Sequence, residues 1–490
     1  MSYRHGVYAL LLAVLCFVVD APRLDSANER KRQPADRPEP VDVGHFGAVG
    51  DSRADDTAAI QRAVDSRVGG VRFPRGTYQI TKPIAIELDR VGFTSLVGDG
   101  TARIVMAGPG PAFRFIGTHE GTADPQSFKE NVWQRQRMPM VVGLEIIGTH
   151  EQAVGIEARG TMQLTISRVN IREALHGIHL VERNRNVIIG ECHIYDNRGA
   201  GVFLDNVNLH QINIANSHIS YNDRGGVVVH GGNVCNIQIG TCDIEGNMSQ
   251  NAPPTANVLL DAADGLIGEV AIVGCTIQHD HNASGSANVR IIGRSEPRPF
   301  TNERRHGNIT IANNVMSDVQ FNIDIRECRG VSIVGNTCWK GYSHNLRVED
   351  SANILVASNV FDRNPRYHYG DGAQAGNGLV FRNCEDCTIT GLHINSVWRA
   401  PAGLILERCR RFNVTNCTIL DCDNAGLLLD DVSHNRVSDC LIRDDRPGGE
   451  KTISLKLTSG SANMIVNNLL AGPSEVAPGS AHVEANLQPR

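Results

Sequence analysis

Apolar and polar residues alternate along this chain in short runs. Examples are "INIANSHI" from Ile212, "ITIANNVM" from Ile309 and "FNVTNCTI" from Phe412. A period of two over three to five residues predicts short strands. The phrase apolar-x-apolar-x-x-[Asn/Cys]-x-Ile, a turn, then Gly-apolar-x-apolar starts at Leu164, Val187, Ile212, Ile237, Val270, Ile309, Val331, Ile354, Cys387, Phe412, Arg436 and Met464. The base spacing is about 23–25 residues, interrupted by insertions, which is the signature of a solenoid coil. Helical repeats need longer units with a 3.6-residue period. Three short parallel strands per coil therefore predict an all-β chain folded as a right-handed parallel β-helix of about a dozen coils.

One column supports this register. Aligned coils bring Cys192, Ser217, Cys242, Cys275, Asn314, Asn336, Asn359, Leu392, Cys417, Cys440 and Asn468 to the same turn. Small polar side chains stacked there satisfy turn backbone and one another, as asparagine ladders do. Cys328, Ser351, Cys384, Cys409 and Val432 form a second column. The chain has 13 cysteines, and these columns predict packed thiols for most of them. A Cys384–Cys409 or Cys417–Cys440 disulfide is the alternative, because adjacent rungs lie about 4.8 Å apart. Upstream, "DDTAAIQRAV" reads as a helix capped by Asp55 or Asp56, with Ala58, Ile60, Ala63 and Val64 available for packing. It would cover the open apolar end of the solenoid.

Residues 1–27 have a polar start, an apolar run from Val7 to Val19 and small residues at Ala21 and Ala27, which reads as a secretory leader. The run falls short of the roughly 18–20 apolar residues that a membrane span needs. Residues 28–40 read as a charged, Pro-rich linker, 41–140 as the cap and first coils, 141–472 as the β-helix proper and 473–490 as a loose tail. The expected location is therefore secreted, periplasmic or cell-surface. A net charge of −6 gives no general attraction for nucleic acid. Nothing after Gly472 reads as a trimerising tail, so a monomer is expected.

Within the Gly-apolar-x-apolar strand the x positions face outward. Consecutive coils offer Glu157/Arg159, His179/Val181, Phe203/Asp205, Val228/His230, Leu259/Asp261, Arg290/Ile292, Asp324/Arg326, Arg347/Glu349, Val380/Arg382, Ile405/Glu407, Leu428/Asp430 and Ser454/Lys456. The first column is charged over consecutive coils only at Arg290, Asp324 and Arg347. Long insertions after Glu245, Gln278, Gly293 and Asp362 fall near the same coils, and insertions on a regular solenoid usually serve function. They would wall a groove floored by Asp261, Arg290, Asp324, Arg326, Arg347 and Glu349, with His230, Tyr367, His368 and Arg382 as further ligand contacts. The plainer reading is a set of ordinary surface ion pairs. The backbones of Asp324 and Glu349 should lie roughly 8 Å apart, inside the roughly 6.5–9.5 Å carboxylate spacing of an inverting glycosidase. For a lyase or epimerase, Arg326 or Arg347 would neutralise a uronate carboxylate, and His230, Tyr367 or His368 would move the proton. Asp371 or Asp261 is a candidate Ca²⁺ ligand, and His279 and His281 read as solvent-exposed rather than as metal ligands.

"FGAVGD", the acidic pair before "TAAIQRA" and "FPRGTY" resemble the opening segment of the pectate-lyase-like β-helix superfamily, and the coils from Leu164 to about Leu470 resemble its body. The resemblance implies an exported protein acting on polysaccharide, either as a lyase, an epimerase or a glycoside hydrolase, or as a non-catalytic binding protein. Of the polygalacturonase motifs, the chain carries only the Asp444–Asp445 pair and "HGG" at His230.

Overall fold

A computed structural model describes residues 40–121, 124–252, 255–294, 306–364 and 372–488. The expected leader and linker, and the candidates Tyr367, His368 and Asp371, lie outside the described residues. The chain winds as a right-handed parallel β-helix. Each coil contributes one strand to each of three faces. In one coil these are Gly307–Ala312, Val315–Ser317 and Val319–Arg326; in the next, Arg329–Val334, Thr337–Cys338 and Gly341–Glu349. Stacked strands pair in parallel.

The period-two pattern sends one set of side chains inward. Ile311, Ile333 and Val356 from the first face meet Met316, Cys338 and Phe361 from the second and Ile325, Val348 and Phe381 from the third, all at 1% exposure or less. Each coil also turns the first corner through a left-handed residue just before the ladder position, as at Asn216 (φ 50°), Gly274 (φ 68°), Asn313 (φ 56°), Gly335 (φ 69°) and Asn416 (φ 55°). Gly and Asn tolerate that backbone best, which explains their recurrence in the repeat.

The first-corner ladder is real: Asn314 Nδ2 donates to Asn336 Oδ1 at 3.0 Å, and Asn336 to Asn359 at 2.9 Å. Among the described residues no cysteine forms a disulfide, and all of them but Cys235 are buried. A second ladder at the next corner escaped the repeat analysis. Asn197, Asn222, Asn247, Asn257, Asn288 and Asn322 each pass an amide hydrogen bond of 2.7–2.9 Å to the next, and Asn345 accepts the last.

The helix Thr57–Asp65 forms as expected, and Ile60, Ala63 and Val64 join the main core. Ala59 is buried and Ala58 is exposed, so Ala59 takes the packing position that the sequence assigned to Ala58. Asp55 Oδ1 accepts the Thr57 N–H at 3.0 Å, while buried Asp56 holds the Val49 and Gly50 N–H groups instead.

Two expectations need correction. In the last rung Leu428 pairs with Lys456 in place of Ser454, and Lys456 with Glu475. Residues 473–488 are not a loose tail. Ser474–Val476 and Ala481–Glu484 add to the third and first faces, and Asn486 Oδ1 accepts from Asn468 at 2.9 Å. The strand alternation there is weak, and the backbone pairing offered by the preceding coil decides the outcome.

Candidate functional site

The register brings Arg290, Asp324 and Arg347 into one column on the third face, as expected. They do not floor a groove. Asp324 is fully buried, and Arg290 is 7% exposed. Arg290 Nε donates to Asp324 Oδ2 at 2.8 Å, and Arg347 grips the same carboxylate through Nε and Nη2, each at 2.8 Å. Arg290 also donates to the carbonyls of Thr255 at 3.5 Å and Gly285 at 2.6 Å, both in insertions. The loops expected to wall the charges lie over them. Phe321 completes the cover, with the Arg347 guanidinium 4.0 Å from its ring centre and His344 stacked on it.

Burial pushes the Asp324 carboxyl up, but the Arg347 hydrogen bonds and the nearby arginine charges outweigh it and hold it at about 2. A buried, permanently ionised carboxylate does not serve as a general acid. Glu349 is engaged as well. Its oxygens lie 3.6 Å from Arg326 Nε and 3.0 Å from Arg382 Nη1, and Arg382 also donates to Glu407 at 2.8 Å. The assignment of Asp324 and Glu349 as a catalytic pair, with Arg326, Arg347, Arg290 and Arg382 free to meet substrate, is therefore corrected to an ion ladder spanning five coils. The Asp444–Asp445 pair is also structural: Asp444 accepts from Arg446 at 2.8 Å and from Thr452 at 2.7 Å.

Earlier on the same face a second polar group is partly covered: the His179 and Glu157 side chains are each 17% exposed, and Glu157 also accepts from Arg114 Nε at 2.7 Å. His179 Nε2 lies 3.1 Å from Asp205 Oδ2, and its Nδ1 lies 4.0 Å from Glu157 Oε2. Asp205 is 40% exposed at its side chain. The His179 ring stacks on Phe203 at 5.4 Å and 6°, with His176 against both. Burial takes His176 down to about 4, and its Nδ1 accepts the Ala200 N–H. One coil on, exposed His230 points at Asp261 across 3.5 Å, and Asp261 Oδ1 accepts the Ala263 N–H at 2.8 Å. The sequence columns contained Glu157, His179, Phe203 and Asp205. They drew no attention because their charges are not consecutive in one column.

The insertions make their cleft around the corner. Strands Thr276–Gln278, Val315–Ser317, Thr337–Cys338 and Val360–Phe361 stack on the second face. The first and last lead into long loops, whereas the middle two turn tightly. The gap is a cleft of about 540 Å³, lined by Gln278, His279, Val315, Asp318, Thr337, Trp339, Asp362 and Asn364. Its walls are pinned. Gln320 Nε2 donates to the His281 carbonyl at 2.6 Å, and His281 stacks on Tyr342 at 3.8 Å. Arg363 holds the far loop by donating to Ser396 and Gly372, each at 2.9 Å, and lies 3.9 Å over Trp398. Asp318 takes a buried ion pair from Lys340 at 3.1 Å, and Asp362 accepts from Asn395 at 3.0 Å.

An aromatic face, carboxylates and amides in one cleft suit a ligand with apolar ring faces and hydroxyl edges. Trp339 was missed by the sequence reading. Its signal was a rare Trp in a tight turn between two insertions. Among the described residues no three His, Cys, Asp or Glu side chains are arranged to hold a metal ion, and Asp261 is already committed as above.

Family models match two segments of the chain. Residues 41–238 match "Rhamnogalacturonase A/epimerase, pectate lyase-like", and residues 299–484 match "Periplasmic copper-binding protein (NosD)". No curated protein matches the chain. Among solved structures, the A-module of mannuronan C-5 epimerase AlgE4 from Azotobacter vinelandii is 14% identical, with 92% of this chain and 100% of that one covered and a TM-score of 0.36. The Streptococcus pneumoniae surface adhesin PfbA is 13% identical over 92% and 100%, with a TM-score of 0.36. Bacteriophage phi29 gene product 12 is 13% identical over 90% and 57%, with a TM-score of 0.49. The two family matches, together with the stacked parallel coils and the capped N-terminal segment, support a pectate-lyase-like right-handed parallel β-helix superfamily for this chain.

Proposed function

We propose that the protein is an extracytoplasmic carbohydrate-binding β-helix protein that holds a stretch of polysaccharide in the corner cleft. The observation that carries this reading is the cleft itself. Two coils with tight turns are framed by pinned insertions, and Trp339 is set among Gln278, Asp318, Asp362 and Asn364. A sugar ring stacked on the indole would offer its hydroxyls to those amides and carboxylates. The periplasmic character of the family matched by residues 299–484 supports the location. Copper is not carried over with that match, because the described residues supply no donor set for it.

Titration calorimetry against a panel of uronate and neutral polysaccharides, with and without Ca²⁺, tests this reading. Trp339→Ala is expected to weaken binding about tenfold or more, which corresponds to roughly 1.4 kcal/mol or more. Glu349→Gln, in the ion ladder, should leave binding unchanged. Failure of every glycan to bind, or equal affinity in Trp339→Ala, would sink the reading.

A second, catalytic reading rests on the His179 site, where Asp205 is the solvent-exposed partner. It lies within the segment that matches the rhamnogalacturonase/epimerase model. Asp205 would orient the His179 imidazole, which would move a proton on a uronate sugar in lyase or epimerase chemistry. His179→Ala should then abolish the rise in ultraviolet absorbance from unsaturated ends, or epimerisation seen by NMR, while binding at Trp339 survives. Turnover that persists undiminished in His179→Ala would exclude this reading.

A further inference from the structure

A knot of cations lies near the N-terminal end of the solenoid, apart from the cleft. Arg183 and Arg185 sit on the strand Ile178–Gly190, with Asn208 and His210 beside them on the next coil. His119 follows the strand Gly110–Ile116 and is 1% exposed. The segment after it folds back over the cluster. Gln136 exchanges hydrogen bonds with Thr118 at 2.8 and 2.9 Å, and Phe128 lies against His119 at 5.5 Å and under the Arg185 guanidinium at 4.5 Å.

The cluster is electrostatically incomplete. Arg183 spends Nη1 on Asn208 Oδ1, but its Nε and Nη2 are buried with no acceptor. Those two nitrogens form one edge of the guanidinium, the edge that donates two parallel N–H groups to a pair of oxygens. His119 Nε2 is likewise buried without a partner. Among the described residues the one charged group acting on Arg183 is Arg185, a like charge. Asp124 faces Arg185 and Glu269 faces His210, but neither acts on Arg183. Burial together with Arg183 and Arg185 takes His119 down to about 4, so the ring is neutral at pH 7 and its Nε2 can donate a hydrogen bond without adding charge. Arg183 as a whole is only partly buried, but the two donors on that edge are shut off from water, and buried donors left unmet are costly.

We propose that Arg183, with His119 and Arg185, forms a binding site for an oxyanion carried as a carboxylate or sulfate substituent of an acidic glycan. The Arg183 edge would take two oxygens of the group and His119 Nε2 a third contact, with Arg185 adding charge from the Phe128 side. The site is independent of the corner cleft, so either can fail without the other. An inorganic oxyanion offers the same chemistry, and the test separates the two sources.

The experiment uses the full mature chain and its Arg183→Met, Arg183→Lys and His119→Gln variants. Thermal unfolding and titration calorimetry are run with sodium sulfate, sodium phosphate or oligogalacturonate against sodium chloride at matched ionic strength. Saturable stabilisation of the wild type by about a few degrees is expected, by mass action on the folded state. Arg183→Met should lose that increment while its own unfolding temperature without anion stays equal or rises, because two unmet buried donors have been removed. A merely structural arginine would show the opposite. Arg183→Lys keeps the charge and loses the two-pronged edge, so binding should weaken about tenfold. If Arg183→Met does not fold, the Arg183→Lys and His119→Gln titrations decide. Binding of oligogalacturonate alone supports the glycan source, whereas binding of sulfate and phosphate but not oligogalacturonate overturns it in favour of a free-ion site. No response beyond chloride, or full binding in both Arg183→Lys and His119→Gln, overturns the site altogether.

Discussion

Asp324→Ala is expected to lower the unfolding free energy by about 3–5 kcal/mol, because it leaves the buried Arg290 and the partly buried Arg347 guanidiniums facing each other without a counter-charge. The register places Asp324 between Arg290 and Arg347, and the insertions seal it from water. Guanidinium denaturation of the two proteins reads the difference, and a loss below about 1 kcal/mol would contradict the account. Replacing Asp324, Arg290 and Arg347 together by apolar residues should cost less than the single change, since well-packed apolar groups can substitute for a buried ion cluster. The pH dependence follows from the carboxyl held at about 2 against its ordinary 3.8. A depressed carboxylate contributes stability that is fully present above about pH 4 and is lost as pH falls through about 2. The contribution is about 2 kcal/mol. The acid limb between about pH 4 and 2 should therefore be shallower in Asp324→Asn than in the wild type.

Asn288→Ala is expected to cost about 2–4 kcal/mol. Asn288 donates to Ser317 O at 2.9 Å and to Asn322 Oδ1 at 2.7 Å, and accepts from Asn257 at 2.8 Å. Alanine leaves those groups unmatched inside a fully buried corner. The loss should propagate to the cleft, because Asn257 also holds the Gln278 and His279 carbonyls at 2.9 and 3.1 Å. Asn257→Ala should thus both destabilise the fold and weaken glycan binding at the adjacent wall. Asn216→Gly keeps the left-handed backbone of that corner and loses only the exposed hydrogen bond from Thr241, so it should cost less than about 0.5 kcal/mol by the same measurement. Equal losses at Asn288 and Asn216 would show that the ladder carries no special stability.

Much of the architecture was legible in the residues. Period-two runs at a fixed spacing can bury their apolar sides only by stacking, and the Asn/Cys column then fixes the register by hydrogen bonding. The rung alignment of Arg290, Asp324 and Arg347 followed from that alone. The second asparagine ladder was less visible, because the insertions after Glu245 and Gln278 break its spacing and hide Asn257 and Asn288 among loop residues.

By itself, the sequence determined the coil, its parallel pairing, the capping helix and which residues share a column, since each depends on local alternation and on a repeat every neighbour shares. The direction in which the insertions fold was decided only by the tertiary structure. Thr255 and Gly285 carbonyls landed on Arg290, turning a charged strand into a covered ion ladder, while the space they left opened beside Trp339. A column of charges looks the same in one dimension whether water or a loop lies over it. The difference is set by long-range packing, through which buried charges acquire partners and exposed ones remain available to a ligand.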